Sequence, residues 1–519
     1  MLEVYISGVG MTPFGKRRES LQELMAEAAT KALQDAGLED VDAIYLGVMN
    51  PEAFIQEGNF ASLIADYLNL VGTPATRIET ASSSGAAAFF TAFQAVASGY
   101  YKTVLVLGGE KMTHLNVAQS TKILAEVIDR SERSSGATMP ALAAMFTEKY
   151  LKEYKISQNT MQKMLAMVAI KNHYNGSLNP YAQFRQILSE KQYLESKIVS
   201  FPLKLYDCAP MTDGAAAVIL TSDRAKVRVA GLGHGTDTLA TRHRASFTSF
   251  RATQLAAFKA YQMARLNPED IDFAEVHDAF TPFEIIGTED LGFFPRGKGA
   301  KALEKGETHL KGRLPINPSG GLKARGHPVG ASGLAQIVEV VWQLRRQVDS
   351  ARQLDKARIG LAQSIGGLAT NNFVTILERT DSPRRVQPDW KGSYRPSTGK
   401  MAPVRKASEE IAKEGVIETF TILYTTPEGF PSPLPLAFIK DLKGNWVIAR
   451  GRSLKHLKIG NRVVLRKIGD SYYFVARTYL DKVNLFLRKM FWKLSKSKHR
   501  RALKPLLNKK KKEPVTTQP

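Results

Sequence analysis

The sequence predicts an α/β protein built from two duplicated halves, followed by a small all-β barrel. A plan of strand, amphipathic helix and strand occurs twice in the first 380 residues. Strands that alternate with helical patterns of roughly 10 to 15 residues are typical of βαβ units, so we expect a mostly parallel sheet in each half. Beyond these halves, short strands separated by turns indicate an antiparallel barrel.

The duplication is visible in the order of elements. Each copy opens with a short apolar strand, at 4–10 and 227–233, and each contains an Asp-Val-Asp or Asp-Ile-Asp step, at 40–42 and 270–272. Both then contain a glycine-rich turn, a helix of small residues and a buried strand. A repeated order favours duplication over two unrelated domains. We therefore predict halves at 1–225 and 226–380.

The rest of the chain changes composition twice. Residues 381–408 are rich in Pro, Ser, Lys and Arg and are predicted to form an exposed linker with a cysteine-free ribbon remnant. We expect separate cores on either side of it, at 1–380 and 410–480. Residues 409–480 are predicted to form the barrel, with strands near 417–424, 436–439, 446–449 and 462–465. A basic tail, 481–519, ends the chain.

The net charge of +23 is concentrated at this end of the chain. Between Lys482 and Lys512 there are thirteen Lys or Arg and no Asp or Glu. A local appendage therefore explains the charge better than a globally basic face, and no specific nucleic acid is expected. Apolar residues at helical spacing predict that the tail is an amphipathic helix. It either contacts an anionic membrane surface or docks on the barrel.

The single cysteine, Cys208, excludes an internal disulfide framework and any site with several cysteine ligands. The N-terminus reads as a strand and lacks the pattern of a signal peptide. No run approaches the roughly 18 to 20 apolar residues of a membrane-spanning helix. We expect a cytoplasmic protein, peripheral to a membrane through its tail.

Four segments in the first 380 residues resemble the motifs of the thiolase superfamily, in its archaeal and sterol-carrier-type branch. They are Arg77-Ile-Glu-Thr-Ala-Ser-Ser-Ser-Gly85, Met211-Thr-Asp-Gly-Ala-Ala-Ala217, Glu275-Val-His-Asp-Ala-Phe280 and Asn317-Pro-Ser-Gly-Gly-Leu-Lys-Ala-Arg-Gly-His-Pro-Val-Gly-Ala-Ser-Gly333. The resemblance implies a five-layer αβαβα thiolase fold, a coenzyme A thioester (acyl-CoA) as substrate, no metal, and a homodimer or higher oligomer.

Residues 385–480 resemble the zinc-ribbon and OB-fold partner that accompanies many relatives as a separate chain. The ribbon-like stretch 391–400 contains no cysteine, so zinc is excluded there. In this association the OB fold is expected to shape an acyl-CoA site or a subunit contact.

The sequence departs from the family at both catalytic cysteines. Ser82 stands where relatives carry the cysteine that accepts the acyl group, and Ser364 stands in place of the second cysteine. A cysteine thiol supplies some thiolate at neutral pH, whereas a serine hydroxyl needs an adjacent base. The resemblance implies His327 as that base and His277 as the donor to an oxyanion or a water.

Ser82 precedes a helix that starts near Gly85, so the helix N-terminus could stabilise a developing anion. The structural alternative for Ser82 is a simple helix cap. Cys208 aligns with no catalytic position and is expected to be a small buried apolar side chain.

Three functions follow from these residues. The first is making or breaking a carbon-carbon bond on a CoA thioester by acyl transfer through Ser82, with Ser364 as a weaker candidate for proton transfer. The second is retro-aldol cleavage of a β-hydroxyacyl-CoA, which needs a base and an oxyanion donor but no acyl-enzyme. The third is a non-catalytic acyl-CoA-binding subunit.

Overall fold

The computed structural model describes residues 1–381, 391–397, 411–454, 457–469 and 471–476. The α-helices are α1 Leu21–Ala36, α2 Pro51–Phe54, α3 Phe60–Tyr67, α4 Ser84–Ala97, α5 Val117–Leu124, α6 Arg130–Ser134, α7 Met139–Glu153, α8 Gln158–Ser177, α9 Glu190–Glu195, α10 Arg251–Ala264, α11 Thr281–Asp290, α12 Gly299–Glu304, α13 Gly321–Arg325 and α14 Val329–Arg345. The β-strands are β1 Tyr5–Met11, β2 Ala43–Gly47, β3 Ala75–Ile78, β4 Thr103–Glu110, β5 Ile198–Ser200, β6 Leu203–Lys204, β7 Gly214–Thr221, β8 Val227–Thr236, β9 Phe273–Glu275, β10 Ile359–Gly366, β11 Asn371–Arg379, β12 Glu414–Leu423, β13 Leu434–Asp441, β14 Trp446–Gly451, β15 Arg462–Ile468 and β16 Ser471–Ala476.

The two halves meet in one nine-stranded sheet with the order β3-β2-β4-β7-β1-β8-β11-β10-β9. Outward from the junction of β1 with β8, each half repeats the same scheme. An antiparallel return strand (β7 or β11) comes first, then an antiparallel partner (β4 or β10), then a parallel strand (β2 or β9). The predicted duplication is confirmed.

The prediction of a mostly parallel sheet is wrong. Among the described pairings of this sheet, β2 with β3, β2 with β4 and β9 with β10 are parallel, and the others are antiparallel. β11 follows β10 after residues 367–370, and so short a turn can join only antiparallel neighbours.

Helices and strands stack in five layers, as the resemblance implied. α4 and α14 pack against each other in the middle, while α1 and α10 cover the outer faces. The central pair is close because its facing residues are small. A Cβ atom on Gly85 would lie 2.5 Å from the carbonyl oxygen of Gly330. The contact brings the N-termini of α4 and α14 together, and the segments that carry Ser82 and His327 end there.

The C-terminal strands close into a five-stranded barrel. β12 pairs with β13 and β15, β13 pairs with β14, and β16 pairs with β14 and β15. The β14–β16 pair is parallel, whereas a purely antiparallel barrel was expected. The four predicted strands are present, whereas the fifth, β16, was not predicted from the sequence. This arrangement is OB-like.

The barrel is not independent of the thiolase-like body. It has an apolar core of its own, but a second core combines Leu436 and Phe438 of β13 with Leu142 and Phe146 of α7. The hydroxyl of Thr419 donates to the Met145 carbonyl at 2.7 Å. We expected separate cores on either side of an exposed linker, and that expectation is wrong because both faces of β13 are buried. The boundaries at 380 and 409 stay a prediction.

The predicted linker 381–408 is described only at Asp381 and at 391–397. There Tyr394 packs against Tyr261 and its hydroxyl donates to the Asp290 carbonyl. Ser397 donates to Gln254 at 2.8 Å through both its backbone N–H and its hydroxyl. This part of the linker is therefore fastened to the C-terminal half.

The tail, with its predicted amphipathic helix, lies outside the described residues. Of the helices within the described ranges, none has both the length and the apolar character needed to cross a membrane.

Candidate active site

A cavity of about 150 Å³ lies beside the N-termini of α4 and α14. It brings together Ser82, His277 and His327, the three most prominent residues of the sequence prediction, and it does not include Ser364. Its other polar lining residues are Thr121, Thr138, Cys208 and Thr425. The remaining wall is glycine or apolar: Met49, Ala81, Met112, Leu124, Val127, Met139, Pro140, Val199, Ala209, Pro210, Met211, Ala279, Phe280, Phe283, Val329 and Gly367.

Ser82 enters the cavity on a tight turn. The preceding Ala81 has a φ of 57°, in the left-handed region that residues with a side chain rarely adopt. The Ser82 hydroxyl donates a 2.8 Å hydrogen bond to the carbonyl of Ile365, 283 residues away. Ser83, not Ser82, occupies the N-cap position of α4. Ser82 is therefore not a helix cap, and its proton is directed at a backbone carbonyl.

His277 is held as a neutral hydrogen-bond donor. Its Nδ1 accepts the backbone N–H of Ile365 at 3.2 Å, so the ring proton must reside on Nε2. Burial, together with the nearby His327 and Arg325, lowers the pKa of His277 well below its ordinary value. A neutral imidazole with Nε2–H suits an oxyanion donor.

His327 is held in the opposite tautomer. Its Nδ1 lies 2.7 Å from the hydroxyl of Ser332, which itself donates to the Pro328 carbonyl at 2.8 Å. With the single Ser332 proton assigned to that carbonyl, the histidine donates through Nδ1–H and leaves a lone pair on Nε2. Burial, and then the charge of Arg325, lowers the pKa of His327 to about 3. The ring is therefore a neutral acceptor at pH 7.

The two imidazoles are neighbours. Their ring centroids are 5.1 Å apart and their planes are nearly perpendicular, at 88°. One cavity thus presents an acceptor nitrogen and a donor nitrogen on adjacent rings. The sequence motifs identified both histidines, but not the partners Ile365 and Ser332 that set their tautomers. Ser332 is five residues from His327, so a local signal for it existed in the sequence.

Ser364 lies in β10, away from the cavity lining. It is 3% exposed, and its hydroxyl has no hydrogen-bond partner among the described residues. A Cβ on Gly333 would lie 2.9 Å from this hydroxyl, so the side chain faces the first turns of α14. The structure does not bring Ser364 together with the other three predicted residues at the cavity.

Buried carboxylates hold the loops that carry the histidines. Asp278 accepts the backbone N–H of Leu322 at 2.6 Å, and Glu275 accepts the hydroxyl of Ser319 at 2.6 Å. Burial raises the pKa of Asp278 to about 7, helped by the charge of Glu284, and burial also raises the pKa of Glu275 to about 7. These contacts tie the His277 loop to the segment that leads into His327.

Cys208 lies in the cavity wall, although the sequence assigned it only a packing role. Its thiol is partly buried and lies 3.7 Å from the Lys204 carbonyl. Burial, and then the charge of Asp207, raises the pKa of this thiol to about 12. The thiol is thus protonated at neutral pH and is a poor nucleophile. Across the described residues, no group of three or more His, Cys, Asp or Glu is arranged to hold a metal ion.

Comparison with known proteins agrees with this architecture. The family "Thiolase, N-terminal domain" matches residues 4–224, and "Thiolase C-terminal domain-like" matches residues 233–379. An acetyl-CoA acetyltransferase of Methanothermobacter thermautotrophicus is 43% identical over 390 residues, which cover 73% of this chain and 100% of that protein. Sterol carrier protein 2 of Gallus gallus is 32% identical over 392 residues, 70% of each chain.

Two solved structures share the fold. The Ltp2-ChsH2(DUF35) aldolase has a TM-score of 0.61 at 23% identity and covers 73% of this chain and 99% of its own. A monomeric SCP2-thiolase like protein from Mycobacterium smegmatis has a TM-score of 0.66 at 18% identity and covers 91% of this chain and 98% of its own. Together with the sequence relatives, they show that this chain belongs to the thiolase superfamily.

Proposed function

We propose that this enzyme makes or breaks a carbon-carbon bond of a CoA thioester by aldol-type chemistry, without an acyl-enzyme. The observation that carries the proposal is the pair of opposite tautomers in one cavity. His327 Nε2 is an acceptor and serves as the general base, and His277 Nε2–H is a donor and serves the oxyanion.

In the cleavage direction the substrate is a β-hydroxyacyl-CoA. His327 Nε2 removes the proton of the β-hydroxyl, the Cα–Cβ bond breaks, and a carbonyl compound forms. The bonding electrons pass to the thioester as an enolate, whose oxygen accepts the His277 Nε2–H hydrogen bond. The imidazolium of His327 then returns its proton to the α-carbon. The reverse sequence is condensation.

The low pKa of His327 keeps the ring neutral, and therefore able to accept a proton, in the resting cavity. Burial makes an imidazolium costly in the resting cavity. When the enolate forms, a negative charge appears beside the ring, and the two opposite charges stabilise each other in a poorly hydrated site. The proton is therefore held only while the substrate is an anion.

The two serines do not supply what acyl transfer requires in addition. A serine nucleophile needs its hydroxyl proton directed at a base, and the Ser82 proton is directed at the Ile365 carbonyl. A second proton-transfer group is needed at the cavity, and Ser364 does not line it. Aldol chemistry needs neither. The fold is also that of an aldolase, so this architecture accommodates such a reaction.

Acyl transfer through Ser82 is the second candidate. Ser82 lies in the cavity just before α4, whose N-terminus favours a developing anion, and acetyl-CoA acetyltransferases are among the sequence relatives. A non-catalytic acyl-CoA-binding subunit is the third candidate, in which both histidine tautomers would serve no reaction.

Substitution of each histidine tests the proposal. His327→Gln and His277→Phe should each reduce cleavage of a β-hydroxyacyl-CoA panel by about 10² to 10⁴, the usual contribution of a general base or of one oxyanion donor. The same assay on Cys208→Ser, a cavity variant with no role in the reaction, is the matched control. Unchanged turnover in both histidine variants would contradict the proposal.

The domain boundaries, the homodimer or higher oligomer, the cytoplasmic location and the contact of the tail with an anionic membrane also belong to this proposal. The charge pattern of residues 482–512 supports the membrane contact. Co-sedimentation of the full chain with vesicles should rise with their phosphatidylserine content. Co-sedimentation that does not depend on the phosphatidylserine content would contradict a membrane contact of the tail.

A further inference from the structure

The cavity wall beyond the histidines is uncharged, and most of its residues are apolar. Among the described residues that line it there is no Asp, Glu, Lys or Arg. A carboxylate placed there would lose hydration without gaining a cationic partner, and that cost is large. The acyl group that fits here therefore carries no charge of its own.

The size of the cavity sets a second limit. Its volume is about 150 Å³. An apolar cavity of about that volume engineered in another protein binds benzene. An acetyl group would leave most of this space unfilled, whereas a six-carbon ring or a branched chain of similar bulk would occupy it and bury its apolar surface.

The barrel supplies part of the rim. Thr425, the second residue after β12, is exposed and lines the cavity, so it lies at the mouth. The backbone N–H groups of Tyr424 and Thr425 both donate to the carbonyl of Val199, at 3.0 and 3.3 Å. Val199 belongs to β5 of the thiolase-like body and lines the same cavity. The position of Thr425 is therefore fixed relative to the reacting groups.

A second barrel contact lies next to another part of the wall. Gly136 has a φ of 85°, and a Cβ there would lie 2.7 Å from Leu434 and 2.8 Å from Phe430. The cavity residues Thr138, Met139 and Pro140 follow immediately. The barrel thus packs against the wall segment as well as forming the rim.

We infer that the cavity selects an uncharged, apolar acyl group of about the bulk of a benzene ring, and that Thr425 of the barrel limits its size. This inference rests on the proposed function, because it takes the cavity to hold the acyl part of a CoA thioester. It adds the substrate class, and it makes the barrel a determinant of specificity.

Calorimetric binding of acetyl-CoA, phenylacetyl-CoA and glutaryl-CoA to the full chain tests the inference independently of turnover. Phenylacetyl-CoA should bind at least tenfold more tightly than acetyl-CoA, and glutaryl-CoA should bind no more tightly than acetyl-CoA. Glutaryl-CoA that binds as tightly as phenylacetyl-CoA, or three equal affinities, would overturn the assignment.

Thr425→Trp tests the size limit. It should weaken phenylacetyl-CoA binding at least fivefold and change acetyl-CoA binding less than twofold. Leu442→Trp is the matched control, since Leu442 is 65% exposed on the barrel and does not line the cavity. An equal loss for both ligands in Thr425→Trp would overturn the role of Thr425.

The binding and turnover experiments distinguish failure of the inferred acyl group from failure of the proposed reaction. If the binding order holds but no β-hydroxyacyl-CoA is cleaved, the proposed reaction fails and the cavity assignment stands. If cleavage occurs but the binding order is absent, the inference about the acyl group fails and the reaction stands.

Discussion

Replacing Ser82 by alanine separates aldol chemistry from acyl transfer, because the structure predicts very different losses. The Ser82 side chain is 8% exposed and donates one hydrogen bond, to the Ile365 carbonyl at 2.8 Å. Its removal should cost about 1 kcal/mol of stability, the net value of one intramolecular hydrogen bond. Because the entropy of unfolding grows with chain length, in a protein of this size that lowers the melting temperature by only about 1 °C.

The effect on turnover depends on the mechanism. If His327 and His277 perform the reaction alone, Ser82→Ala should retain activity within about threefold of wild type, since the lost contact lies outside the proton path. If Ser82 accepts the acyl group, its loss should reduce kcat by about 10⁴ or more, as removal of a nucleophile does elsewhere. Steady-state cleavage of a β-hydroxyacyl-CoA measures the first case, and CoA-dependent cleavage of a β-ketoacyl-CoA measures the second.

Mass spectrometry of the intact enzyme completes the test. Ser82→Cys restores a nucleophile that reacts with little help. Label from acyl-CoA or iodoacetamide at position 82 would show that the cavity is still arranged for acyl transfer. Wild type and Ser82→Ala both retain Cys208, whose thiol has a pKa of about 12, and are the unlabelled controls. An acyl adduct on wild-type Ser82, together with a loss near 10⁴ in Ser82→Ala, would refute the aldol mechanism.

Four further predictions follow from the same structure. Ser332→Ala should lower kcat about tenfold with KM unchanged, because a hydrogen bond worth about 1.4 kcal/mol no longer holds the proton on Nδ1 of His327; a parallel rise in KM would contradict this role. The pKa of His327 is about 3 in the fold against an ordinary 6.5, so the unfolded chain binds the extra proton between these values and wild type loses stability as pH falls. Compared with His327→Gln, wild type should lose about 3 kcal/mol more of its free energy of unfolding by pH 4, as measured by thermal unfolding. The same pH dependence in both proteins would refute the burial of His327 in its neutral form. Phe438→Ala should cost about 3 to 5 kcal/mol and lower the unfolding temperature of barrel and body together, whereas Leu442→Ala should cost less than about 0.5 kcal/mol; a shift confined to the barrel would contradict the shared core. Limited proteolysis should cleave within 381–408 but spare 391–397, and first cuts inside the thiolase-like body would reject the linker.

Much of the fold was predictable because its signals are local. Alternating strands and helices, the repeated Asp-x-Asp step and the glycine-rich turns report which residues are buried and where the chain turns. These patterns predicted the duplicated halves and four of the barrel strands. They did not predict the antiparallel β7 and β11, because periodicity reports which faces of a strand are buried but not its direction relative to its neighbours.

In the candidate site, too, local motifs predicted some features and long-range contacts determined others. The motifs around Ser82, His277 and His327 named the three side chains that the structure brings to one cavity. The backbone of Ile365 links two of them, accepting from Ser82 across 283 residues and donating to His277 across 88. The first contact depends on how the two halves pack and the second on the pairing of β9 with β10, so no local pattern could reveal them.

The sequence by itself therefore indicated the superfamily and named the histidine pair, since each is a matter of residue type in a local motif. Only the tertiary structure decided which nitrogen of each histidine carries the proton, that Ser364 lies outside the cavity and that Cys208 and Thr425 line it. The physical reason is that tautomers and cavity walls depend on hydrogen-bond partners and packing surfaces contributed by distant segments. Those partners meet only when α4, α14, β10 and the barrel are assembled around one apolar space.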